Sequence, residues 1–136
     1  MTHKRFQFNK LVRDLVVTHC EEQGCKLEVR LLDKAEHVQE LLAKLVEEAT
    51  EVAQAQSREE RIKELGDLLE VFQTLLSLEE ISSEDVEEAR QKKRAKKGGF
   101  ESGSYILTNT IPANHEDIPG FLAQPEKYPF LGDVEL

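Results

Sequence analysis

Residues 41–53 read Leu-Leu-Ala-Lys-Leu-Val-Glu-Glu-Ala-Thr-Glu-Val-Ala, and residues 64–76 read Glu-Leu-Gly-Asp-Leu-Leu-Glu-Val-Phe-Gln-Thr-Leu-Leu. Both runs have helical periodicity. At about 100° per residue, Leu41, Leu42, Leu45, Val46, Ala49, Val52 and Ala53 fall on one stripe of the first. Glu48 lies about 20° from Leu41 at the edge of that stripe, with Glu51 and Glu47 further round the same flank. In the second run Ile62, Leu65, Leu68, Leu69, Val71, Phe72, Leu75 and Leu76 make a wide apolar arc. Glu64 projects inside that arc, between the directions of Val71 and Leu75, and Asp67 stands at its edge. Between the runs, Ser57-Arg-Glu-Glu60 is a capping box that starts a new helix, so the two helices are antiparallel neighbours whose acidic pairs can face each other.

Working outward, Asn9 is a candidate cap for a first helix over Lys10–Gln23, with Gly24 suited to its end. Lys26–Leu32 alternates, with Leu27, Val29 and Leu31 on one side, and reads as a short strand. Asp33 is a cap for the second helix, about Lys34–Gln56, and the third runs from Ser57 to about Leu78. Ser82 and Ser83 offer caps for a fourth, which Gly98-Gly99 ends. Ser104–Thr110 is β-rich and a candidate partner for the earlier strand. All four prolines, Pro112, Pro119, Pro125 and Pro129, follow Thr110, so the tail is not helical in bulk. Its Phe121, Tyr128 and Phe130 imply packing on the chain's own bundle or on a partner subunit. The expectation is a mainly α, antiparallel bundle of about four helices with a short β pairing and an extended tail. A domain at 1–108 would precede a tail at 109–136.

Length and composition agree. A chain of 136 residues fits one domain, and a helical domain of this size often extends its core by oligomerising. With 39% hydrophobic and 33% charged residues it has a soluble balance. No apolar run approaches a membrane span and no secretory signal is visible, so a cytoplasmic setting is expected. Cys20 and Cys25 have neither zinc nor redox spacing and read as reduced thiols. His3, His19, His37 and His115 are scattered, which disfavours zinc. A net charge of −9 argues against a nucleic acid polymer as partner.

A carboxylate aimed at a core is costly unless it is paired or metal-bound. Converging carboxylates also raise one another's pKa. A divalent cation relieves both, and Asp and Glu oxygens suit magnesium, which bridges substrate phosphates while water attacks. Glu-rich helices are often simply solvated; that is the ordinary reading of Glu59, Glu60, Glu79, Glu80, Glu87 and Glu88. For phosphates, Lys10 and Arg13 lie one turn apart near the first helix's start. Six of the eighteen Lys and Arg fall in Arg90–Lys97. Most of these complement the helix dipole without a ligand. Lys93, Arg94 and Lys97, adjoining the Gly-Gly turn, are the better phosphate candidates.

The string Glu47-Glu48-Ala49-Thr50-Glu51, then Glu64-Leu65-Gly66-Asp67 after twelve intervening residues, resembles the all-α nucleotide pyrophosphohydrolase superfamily. That group includes MazG, dimeric dUTPases, dCTP pyrophosphatases and phosphoribosyl-ATP pyrophosphohydrolase. Asn9-Lys10-Leu11-Val12-Arg13-Asp14 and Lys97-Gly98-Gly99-Phe100 resemble the opening and the post-helical segment of one small-protein branch. The resemblance covers residues 6 to about 107; the tail from about Asn109 has no counterpart in it. It implies a helical core assembled as a homodimer or homotetramer and cleavage of the α–β phosphoanhydride. It further implies magnesium, with manganese as an alternative, on Glu48, Glu51, Glu64 and Asp67. Glu47 would be a water-activating base or an outer residue. Two other functions stay open: phosphoribosyl-ATP hydrolysis in histidine biosynthesis by the same acids, and a non-catalytic helical module binding a nucleotide or protein.

Overall fold

The computed structural model describes residues 1–136, all of the chain. It is helical, with α1 at Asp14–Glu22, α2 at Lys34–Gln54, α3 at Arg58–Leu78, α4 at Ser83–Lys97 and α5 at Ile118–Leu122. Two compact units divide it, Met1–Lys96 and Lys97–Leu136. No helix is long and apolar enough to cross a membrane.

In the first unit the packed pair is the α2–α3 hairpin. Its inner seam has heptad spacing. Leu41, Leu45, Glu48 and Val52 on α2 and its C-cap Ala55 are buried or half-buried, as are Glu64, Leu68, Val71, Leu75 and Leu78 on α3. That is the narrow seam by which two helices interlock. Leu41 and Val71 are its buried apolar anchors, each contributing about 2 kcal/mol by removal from water. The same seam carries Glu48 and Glu64 at positions that would ordinarily be apolar. Part of the wide apolar arcs lies outside it: Leu42, Val46, Ile62, Leu65 and Leu69 are exposed, while Phe72 and Leu76 flank the seam half-buried.

Local chemistry sets the hairpin's ends. The Asp33 side chain accepts from the Glu36 amide at 2.9 Å, starting α2. Ser57 Oγ accepts from the Glu60 amide at 3.1 Å, as the capping box requires. Glu60 reaches back one residue further than expected, accepting from the Gln56 amide at 2.9 Å. Arg61 donates to the carbonyls of Val52 (3.4 Å) and Ala55 (3.0 Å), closing the carbonyl end of α2 from the next helix. Ser82 Oγ accepts from the Asp85 amide to open α4, and Gly98 follows its end at φ 79°.

Three expectations are corrected. The first helix begins at Asp14, not Lys10. Asn9 sits at φ 48°, and Arg13 is the extended N-cap, without a side-chain cap bond. Lys10, Leu11 and Arg13 are good helix formers, so the late start comes from the backbone at Asn9 and Arg13 and not from residue preference. Neither Lys26–Leu32 nor Ser104–Thr110 is a strand, so there is no β pairing. Alternation alone does not stabilise a strand without a packed face, and Leu27, Val29 and Leu31 are exposed. The segment before α2 is instead pinned by Arg30, which donates to both Glu36 oxygens at 3.1 and 2.8 Å.

The second unit holds the short helix α5, with Pro119 in its first turn. Phe121 and Tyr128 meet edge-on at 4.8 Å between centroids, and Lys127 Nζ lies 5.2 Å from the Tyr128 ring centre. Phe121 and Tyr128 thus pack on each other within the unit, while Phe130 is exposed.

Candidate metal centre

Glu48 and Glu51 leave one side of α2 a turn apart, and Glu64 meets them from α3. One carboxylate oxygen from each of the three lies within 4.8 Å of the others. Glu48 is 8% exposed, and its Oε2 is buried with no hydrogen-bond partner; Glu64 Oε2 is likewise buried and unpartnered. A buried acceptor without a partner costs about 1–3 kcal/mol, more when charged. The seam therefore holds two oxygens that lack a donor.

Their electrostatics follow from crowding. Burial pushes the Glu48 carboxyl above its usual range, and the neighbouring Glu51 pushes it the same way while Lys44 opposes. The carboxyl of Glu64 is raised first by its hydrogen bond with Glu51, then by burial and by the charges of Glu51 and Asp67.

Three bases reach these acids. Arg13 donates to Asp67 Oδ1 at 2.8 Å across 54 residues of sequence. Lys10 Nζ lies 3.9 Å from Glu47 Oε1. Lys44 Nζ stands 3.6 Å from Glu47 and 3.7 Å from Glu48 Oε1. Sequence reading singled out Lys10 and Arg13 but missed Lys44. The signal was present, since Lys44 precedes Glu48 by one helical turn. Asp67, engaged by Arg13, and Glu47, engaged by Lys10 and Lys44, stand outside the three-glutamate cluster. Lys93 and Arg94, near the end of α4, and Lys97 at its last residue are exposed. Cys20 and Cys25 are free thiols.

The donor set fits a hard divalent cation. All three glutamates offer oxygen, the donor type that magnesium takes, and one oxygen from each already lies within 4.8 Å of the others. A divalent cation would offset two of the three mutually repelling charges and give the orphaned oxygens a partner.

Comparison with known proteins bears on the same helices. The family described as phosphoribosyl-ATP pyrophosphohydrolase matches residues 29–94, which span α2, α3 and most of α4. No curated protein and no solved structure matches the chain significantly.

Proposed function

Because residues 29–94 form a domain of the phosphoribosyl-ATP pyrophosphohydrolase family, within the MazG-like all-α pyrophosphohydrolase superfamily, we propose that the chain is a magnesium-dependent nucleotide pyrophosphohydrolase. It takes a nucleoside triphosphate and water to a nucleoside monophosphate and pyrophosphate, clearing unwanted nucleotides from the cytoplasm. The observation that carries the metal reading is the pair of buried, unpartnered oxygens on Glu48 and Glu64.

Glu48, Glu51 and Glu64, with Asp67 beside them, would hold the cation, magnesium or alternatively manganese. When bound, it supplies charge neutralisation at the phosphate oxygens and polarisation of the attacking water. Glu47, 37% exposed at its side chain, is the candidate to accept the water's proton. Lys10 and Lys44 hold its carboxylate in place through their ion pairs. Lys10 and Arg13 are the phosphate ligands nearest the acids, and Lys93, Arg94 and Lys97 are further candidates for the leaving pyrophosphate. The proposal takes residues 1–108 as the catalytic domain and 109–136 as an appended tail. It includes assembly as a homodimer or homotetramer, supported by the uncovered apolar stripe of the hairpin.

A second reading has its own support, since the matching family is described by phosphoribosyl-ATP. That substrate would use the same acids. Pyrophosphate release from a nucleotide panel that includes phosphoribosyl-ATP, with magnesium, separates the two readings. Glu64→Gln should lower turnover by more than the about 10–100-fold that loss of an outer metal partner produces. Equal activity of variant and wild type would sink the site assignment.

A further inference from the structure

Asp67 belongs by position to the acidic set, yet it is not in the three-glutamate cluster. Its carboxylate is instead engaged by Arg13 at 2.8 Å. Asp67 is near enough that its charge raises both Glu48 and Glu64, so it stands at the margin of the centre. Arg13 is an extended N-cap residue whose side chain makes no cap bond, and it is 61% exposed at its side chain. The segment leading to it reaches the hairpin again through Lys10 and Glu47 at 3.9 Å. Two bases on one extended segment thus cross to acids on α2 and α3.

Arg13 engages one oxygen of Asp67, and a cation that shares this carboxylate competes with the guanidinium for its single charge. A guanidinium released from Asp67 beside a bound cation has a natural new partner in phosphate oxygens, which match its planar fork. We propose that Arg13 is a positioning residue that holds Asp67 in the cation-free protein and exchanges partners on loading. Asp67 passes to the cation, and Arg13 passes to the polyphosphate of the incoming nucleotide. This rests on the metal reading above and adds an order of events to it. The cation and the phosphates reinforce each other because each releases the other's ligand.

The test is Mn2+ binding by calorimetry on the full chain without nucleotide, in a double-mutant cycle of Arg13→Gln and Asp67→Asn. Removing Arg13 should tighten Mn2+ binding about two- to fivefold, the scale of an exposed ion pair. In the Asp67→Asn background the same change should have almost no effect. A gain that persists in that background would mean that Arg13 acts only as a nearby positive charge, and overturns the exchange. Unchanged or weaker Mn2+ binding in Arg13→Gln also overturns it. Arg13→Lys, which keeps the charge without the fork, should give intermediate Mn2+ affinity; wild-type affinity there counts against the exchange. Inorganic tripolyphosphate added to the Mn2+-loaded protein should bind several-fold more weakly to Arg13→Gln than to wild type, and equal binding contradicts the second half of the proposal. Loss of the metal reading itself would look different. Wild type would then bind no Mn2+, or Glu51→Gln would bind it as well as wild type.

Discussion

Lys44 reaches one oxygen of Glu48 and leaves the other bare: Nζ lies 3.7 Å from Oε1, while Oε2 is buried without a partner. The lysine thus offsets part of a buried carboxylate's charge from the same helix, one turn away. Replacing it should be felt in proportion to how ionised Glu48 is. Lys44→Met should destabilise the metal-free protein by about 1 kcal/mol at pH 8, and by clearly less near pH 5, where Glu48 is more protonated. Urea unfolding in chelator at both pH values measures this; an equal loss at both would show that Lys44 matters only through its aliphatic stem.

Glu48 and Glu64 both have carboxyl pKa values raised above the ordinary 4.5, by burial for Glu48 and by the hydrogen bond with Glu51 for Glu64. Above 4.5 the folded chain therefore holds more protons at these sites than the unfolded one, so stability falls as pH rises through the raised values and then levels. Glu87, held at about 2 by its hydrogen bond with Arg90, titrates below this window. Glu36, held low by Arg30, does too. Metal-free protein should thus show an unfolding midpoint that declines from pH 5 toward pH 8. The decline should shrink in Glu48→Gln and Glu64→Gln. Magnesium at 100 times its Kd should restore about 2.7 kcal/mol to wild type at pH 8 and little to either variant.

Gly66 lies inside α3 between two members of the acidic set, and a Cβ built there meets no atom within 4 Å. Neither packing nor a positive φ requires glycine at this point. Gly66→Ala should therefore stabilise the metal-free chain by about 1 kcal/mol through helix preference alone. Chemical denaturation checks this directly. A loss of stability would mean that the surface over Gly66 is covered in solution.

The uncovered stripe of Val46, Ile62, Leu65 and Leu69, with exposures of 68%, 57%, 48% and 52%, should be closed by a second copy. Sedimentation should report a dimer or larger species at micromolar concentration. Val46→Glu with Leu69→Glu should shift it to monomer and lower the thermal midpoint. A wild type that stays monomeric at all concentrations would contradict the assembly.

Much of this protein is legible from its residues. The two long helices, their caps at Asp33 and Ser57, the stop at Gly98 and the acidic faces at 48, 51, 64 and 67 follow from spacing, because a helix's faces are fixed by its own 3.6-residue period. Short-range rules failed where stability comes from elsewhere. Lys26–Leu32 has the alternation of a strand but no packed face, and Asn9 has a capping side chain but a backbone that turns left. Only the tertiary structure decided which apolar residues close the hairpin and which remain outside it. It alone showed that Glu48 and Glu64 occupy the inner seam with unpartnered oxygens. It alone brought Arg13 to Asp67 across 54 residues. Helical period fixes direction about one axis, whereas burial, missing partners and long-range ion pairs depend on how two axes are placed against each other.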